Sequence, residues 1–146
     1  MNSTERVVYT QAELDTALAN GVARIVIDSP PGEVIEVRDS GLSTVYASGL
    51  SKVLAYDSSK VHAFGLSTVI TSDSTTVYTF GSSRVYASGS STVIAFGSST
   101  VHAYGSSTVH AYDSATVYAY DSAEVITSDS ATVNAYDSAT ITREQS

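Results

Sequence analysis

Gly97-Ser98-Ser99-Thr100-Val101-His102-Ala103-Tyr104, then Gly105-Ser106-Ser107-Thr108-Val109-His110-Ala111-Tyr112, then Asp113-Ser114-Ala115-Thr116-Val117-Tyr118-Ala119-Tyr120, are three consecutive copies of one eight-residue unit. The unit repeats without insertion from Gly41 to the end of the chain, about thirteen times. Its fifth place is Val in every copy from Val45 to Val133 and Ile at Ile141. Its first place is always Gly or Asp, and its seventh is Ala or Thr until Arg143. An unbroken register of this kind marks a solenoid, in which each repeat packs mainly on its neighbours.

Within a unit, Thr44-Val45-Tyr46-Ala47-Ser48 alternates as a strand with one buried face should. Val45 facing inward takes Ser43 and Ala47 with it and turns Thr44, Tyr46 and Ser48 outward. The inward set hardly changes along the chain, whereas the outward sixth place varies freely (Tyr46, Leu54, His62, Ile70, Tyr78). Gly or Asp in the first place suits a corner, because both tolerate left-handed backbone better than most residues. Two units per coil make a flattened sixteen-residue loop and three make a triangle of twenty-four. Small inward residues favour sixteen. The columns themselves do not choose: Ile70 and Ile94 would stack at twenty-four, whereas Asp57, Asp73, Asp121 and Asp137 would share a column at sixteen. The fold expected is all-β, a parallel, right-handed β-helix, the hand following the usual bias of parallel crossovers.

Residues 1–40 precede the repeat and read as its cap, so that 1–40 and 41–146 form one domain. Residues 7–10 look extended. Thr10 with Glu13 three places on has the form of a helix start. The expected helix covers 11–20, with Ala12, Leu14, Leu18 and Ala19 as its apolar side and Asn20-Gly21 as its stop. Two strands follow, at Arg24-Ile25-Val26-Ile27 and Val34-Ile35-Glu36-Val37. A helix there would cover the apolar end and the strand edges of the first coil.

Seven basic and fifteen acidic side chains give a formal net charge of −8. That balance argues against binding nucleic acid phosphates or an anionic membrane surface. The chain has no Cys, which removes disulfides and thiolate metal sites. MNSTERVVYTQ at the start lacks the basic-then-apolar layout of a secretion signal, so a cytoplasmic or virion location is expected.

The segment Ala103-Tyr104-Gly105-Ser106-Ser107-Thr108 resembles the octapeptide of bacterial ice-nucleation proteins, whose units run Ala-Gly-Tyr-Gly-Ser-Thr-x-Thr. The resemblance implies sixteen-residue coils and an ice-organising Thr-x-Thr row. Here His110 stands two after Thr108 and Ile94 two after Thr92. Only Thr140-Ile141-Thr142 keeps the spacing. Asp113-Ser114-Ala115-Thr116-Val117-Tyr118-Ala119-Tyr120 is similar along its whole length to octapeptide-repeat proteins of actinobacteria and their phages, a likeness that implies a β-solenoid and no particular activity.

Candidate chemistry is sparse. His62, His102 and His110 all take the outward sixth place, and a shared metal would need two of them in adjacent coils. His62 and His110 lie two or three coils apart and His102 falls on another face, so no metal or cofactor is expected. Serines abound with no nucleophile-elbow motif, and no catalytic residues are assigned. The eighth place carries Tyr56, Phe64, Phe80, Phe96, Tyr104, Tyr112, Tyr120 and Tyr136, which stacking would align into exposed aromatic rows. The fourth place carries Thr68, Thr76, Thr92, Thr100, Thr108, Thr116, Thr132 and Thr140, the candidate ice face. From Val85 to Thr142 there are five acids (Asp113, Asp121, Glu124, Asp129 and Asp137) and no base, which a solvated corner accommodates.

The expected function is a non-enzymatic, rigid structural or protein-interaction module, set in a phage particle or cell-surface assembly. Homo-oligomerisation is expected through the last coil or the aromatic stripe, with another protein as the alternative partner. Ice binding is the second expectation, and acidic mimicry of nucleic acid the third.

Overall fold

The computed structural model describes residues 5–30, 32–38, 44–57, 59–128 and 130–143. The chain opens with β1 (Glu5–Val8), α1 (Gln11–Ala19), β2 (Arg24–Ile27) and β3 (Val34–Val37). The repeat then supplies one four-residue strand per unit: β4 (Thr44–Ala47), β5 (Lys52–Ala55), β6 (Lys60–Ala63), β7 (Thr68–Thr71), β8 (Thr76–Thr79), β9 (Arg84–Ala87) and β10 (Thr92–Ala95). The same rhythm continues through β11 (Thr100–Ala103), β12 (Thr108–Ala111), β13 (Thr116–Ala119), β14 (Glu124–Thr127), β15 (Thr132–Ala135) and β16 (Thr140–Arg143).

Every strand of the repeat pairs in parallel with the strand two units away. Val93 lies between Val77 and Val109, and Val101 between Val85 and Val117. The coil is therefore sixteen residues, two strands and two corners. β1, β2 and the even strands from β4 to β16 form a nine-stranded sheet, and the odd strands from β3 to β15 a seven-stranded one. Ile70 and Ile94 fall in different sheets, which rules out stacking at twenty-four. The molecule is a parallel β-solenoid of about eight turns.

The reason for the narrow coil is in the inward places. Val53, Ala55, Val61, Ala63, Val93 and Ala95 are fully buried between the sheets, and so are third-place residues such as Ser67, Ser83 and Ala115. The third-place serine does a second job. Ser67 and Ser83 each donate their hydroxyl to the eighth-place carbonyl of the same corner, Phe64 O and Phe80 O, at 2.7 Å. The first place has φ of 56 to 69° at every described Gly and Asp from Gly49 to Asp137, which explains why nothing else occurs there. Corners also join the ladder between coils: Ser82 N donates to Gly65 O and Ser98 N to Gly81 O. Corner bonds of this kind carry the backbone pairing of the strands on into the turns between them.

The cap agrees with the sequence in outline and differs in detail. Thr10 caps α1 by accepting from Glu13 N at 3.2 Å, but the Glu13 carboxylate accepts from Tyr9 N at 2.7 Å instead of from Thr10 itself. Gly21, at φ 68°, ends the helix, with Val22 N donating back to Ala17 O. Leu14 and Ala17 are buried and Leu18 packs on the core, whereas Ala12 and Ala19 are exposed. Only 14, 17 and 18 share a face at helical spacing, which corrects the apolar side expected from composition. The extended piece is Glu5–Val8 and not 7–10, and it lengthens the nine-stranded sheet by pairing with β2. The edge of the other sheet is met by one side chain. Gln11 donates to Glu36 O at 2.9 Å and accepts from Glu36 N at 2.7 Å, an amide standing in for a strand. In the last coil Val133 is half-buried, and Ala135 and Ile141 are exposed. No helix among the described residues is long and apolar enough to cross a membrane.

Candidate interaction surfaces

The outward places form straight columns, since each strand repeats the geometry of the one beneath it. The expected aromatic stripe divides between two corners. Phe64, Phe80, Phe96 and Tyr112 follow the strands of the nine-stranded sheet and stack at 5.0 to 5.3 Å between ring centres, within 12° of parallel. Tyr104, Tyr120 and Tyr136 follow the seven-stranded sheet, at 4.9 and 5.1 Å. Tyr56 lies in the second column but is cut off from it by Ser72 and Ser88, and it faces Arg38 at 5.7 Å. Phe64 is 37% exposed, Tyr104 36% and Tyr136 48%. Offset rings at this spacing attract one another beyond their burial, so the rows also stiffen the corners.

The sixth place holds two stacks that the octapeptide alone does not announce. His62 lies between Tyr46 and Tyr78, both at 4.8 Å, and His102 between Tyr86 and Tyr118, at 4.8 and 4.9 Å. Burial between the rings, then the charge of Lys60, lowers the His62 pKa below its ordinary value. Burial and Arg84 do the same to His102. Tyr-His-Tyr at sixteen-residue intervals was the available signal, readable only once the coil length is known. His110 is on the sheet of His62 but three coils away, between Ile94 and Ile126, and His102 is on the opposite sheet. Among the described residues no three His, Cys, Asp or Glu gather where one metal ion would bridge them.

The threonines also divide. Thr76, Thr92 and Thr108 stack on the nine-stranded sheet, with Thr140 beyond Glu124. Thr100, Thr116 and Thr132 stack on the other, with Thr68 beyond Arg84. Each run is three hydroxyls long, and the neighbouring outward places are Tyr78, Ile94 and His110 in one case and His102, Tyr118 and Asn134 in the other.

The acids do not share one corner. Asp121 and Asp137 lie on one corner and Asp113 on the other, while Glu124 stands in the fourth-place column on a sheet face; Asp129 lies outside the described residues. The corner carboxylates are exposed but bonded along the rod: Asp113 accepts from Gly97 N at 3.0 Å, Asp121 from Gly105 N at 3.1 Å and Asp137 from Asp121 N at 3.2 Å. Each therefore ties its coil to the one before. A hollow of about 470 Å³ beside α1 is lined by Gln11, Asp15, Leu18, Glu36 and Arg38. One of about 410 Å³ on the seven-stranded sheet is lined by Lys52, Thr68, Ile70, Arg84 and Tyr86. No family model matches the chain, and neither a curated protein nor a solved structure matches it.

Proposed function

We propose that this solenoid is a non-enzymatic structural or protein-docking module. The observation that carries the reading is the pair of in-register aromatic rows, half-buried along their length and exposed at Phe64, Tyr104 and Tyr136, on a rod whose interior is filled by Val, Ala and Ser. Rigid aromatic rings offer large contact area at little entropic cost, which suits a protein interface. The interior, in contrast, holds side chains too small and too uniform to shape a reaction site.

Ice binding is the second reading, favoured by the threonine runs. Against it, a lattice-matching face needs regular hydroxyls in two dimensions, and each run here is one column wide beside bulky rings. Mimicry of nucleic acid has less support, since the acids are split between two corners and a face. The direct test is recrystallisation of ice in the presence of micromolar purified chain. Normal coarsening is expected, and blocked coarsening with faceted crystals would make the threonine columns the working surface and end the structural reading.

A further inference from the structure

On the seven-stranded sheet two cations flank one hydroxyl. The outward fourth-place column runs Lys52, Thr68, Arg84, with Thr68 paired to both neighbours. Lys52 and Arg84 are exposed, stand two strands or about 9.6 Å apart, and make no ion pair among the described residues. The outward acid of this sheet, Glu36, is already paired with Arg38 at 3.5 Å, and on the corner beyond the strands Asp73 accepts from Asp57 N at 3.3 Å. Beside the cations the sixth-place column runs Ile70, Tyr86, His102, Tyr118. His102 covers one face of the Tyr86 ring at 4.8 Å, whereas the other face looks onto Ile70, where the ladder has no ring. The hollow of about 410 Å³ opens there, between Lys52, Thr68, Ile70, Arg84 and Tyr86. Tyr78 and Tyr118 also end their stacks, against Ile94 and Asn134, but their fourth-place neighbours are Thr76 with Thr92 and Thr116 with Thr132.

We infer that this hollow is a binding site for a small aromatic phosphate monoester of the nucleoside monophosphate class. The inference goes beyond the docking-module reading and does not depend on it. The flat base lies over Ile70 against the open face of Tyr86, in the place that the next ring of the ladder would take. The phosphate sits above Thr68. There the Arg84 guanidinium donates to two of its oxygens, the Lys52 ammonium supplies a point charge, and the Thr68 hydroxyl donates one more hydrogen bond. Two unpaired cations match a phosphate monoester, charged about −1.5 to −2 near neutral pH, better than the single charge of a carboxylate. Thr68 and Ile70 are two residues apart along the strand, about 6.6 Å, so ring and phosphate need a spacer between them, which a ribose provides. The net charge of −8 repels a polyanionic strand and leaves a single nucleotide as the occupant. Both cations are exposed, so salt weakens the complex.

The test is isothermal titration calorimetry of the full chain at low ionic strength with adenosine 5′-monophosphate, adenosine and inorganic phosphate, with circular dichroism as the control for folding. The monophosphate is expected to bind with a Kd below about 1 mM, and about tenfold or more tightly than either of its halves. Tyr86→Leu weakens it about tenfold, and the double variant Lys52→Gln/Arg84→Gln brings it to the level of adenosine. Tyr118→Leu, two coils further along the same column, leaves it unchanged. A monophosphate that binds no more tightly than adenosine or inorganic phosphate would overturn the site. So would either hollow variant binding like the parent, or a loss in Tyr118→Leu equal to that in Tyr86→Leu. None of these results touches the docking-module reading, which fails on the ice assay instead.

Discussion

Thr79 offers the sharpest test of the packing, because its replacement by a less polar residue should make the protein more stable. It occupies the seventh place of β8, fully buried between Ala63 and Ala95 in the neighbouring strands. Its hydroxyl has no hydrogen-bond partner, and neither has that of Thr127. Thr71, at the same place in the opposite sheet, donates to Ser91 Oγ at 2.8 Å, and Ser91 donates onward to Ser88 O at 2.6 Å. An orphaned buried hydroxyl costs about 1–3 kcal/mol of desolvation, whereas a satisfied one contributes about 0.5–1.5 kcal/mol. Valine keeps the β-branched shape and leaves no cavity. Thr79→Val should therefore raise stability by about 1–3 kcal/mol, or about 2–4 °C of melting temperature per kcal/mol for a chain of this length. Thr71→Val should lower it by about 1 kcal/mol. Urea unfolding followed by circular dichroism and by tyrosine fluorescence reads both, and agreement of the two probes checks that the array unfolds as a unit. If Thr79→Val unfolds earlier than the parent, or moves in the same direction as Thr71→Val, the assignment of satisfied and orphaned hydroxyls is wrong.

Two further perturbations examine the corners and the histidine stacks. A Cβ at Gly89 would stand 2.7 Å from Asp73 N, whereas one at Gly65 would stand 3.4 Å from Gly49 N; both glycines have positive φ. Gly65→Ala should cost about 1–2 kcal/mol for the left-handed backbone alone, Gly89→Ala should cost more, and equal losses in urea midpoint would show that coil stacking does not limit the corner. His62 and His102 have pKa values lowered from 6.5, so the folded state holds them neutral while the unfolded chain takes up protons. Their contribution is complete above pH 6.5 and is lost as pH falls through the lowered native values, so the melting temperature should drop on that side. The double variant His62→Phe/His102→Phe should flatten the drop, and an unchanged slope would assign it to other groups.

The inside of this solenoid was legible in the sequence and much of the outside was not. Val at every fifth place, with small residues at the third and seventh, named the buried face. Gly or Asp at the first place named a left-handed corner. Coil length stayed open because a near-identical unit places Val on Val at either sixteen or twenty-four residues. Only the ring and carboxylate columns break that degeneracy: Tyr46, His62 and Tyr78 stack at sixteen, as do Asp121 and Asp137. Gln11 left no local trace at all, since its partner, Glu36, is twenty-five residues away and is bonded through its backbone. Glu124 was counted among the corner acids, although its fourth place in the unit already assigned it to a sheet face.

That last residue points to where specificity is written in such a chain. The backbone of each coil is held by inward Val and by corner bonds, so an outward substitution costs the fold little. Regular outward residues then carry little information, because any neighbouring coil could replace them. Departures from the pattern carry more. In the fourth place, where Thr is the rule, the departures are Lys52, Lys60, Arg84 and Glu124. Lys52 and Arg84 add two bases to the seven-stranded face, which also carries Glu36, whereas Lys60 and Glu124 stand in one column of the nine-stranded face with Arg24 and Glu5. These few charged side chains, and not the repeated Thr, are what distinguish one stretch of the rod from another.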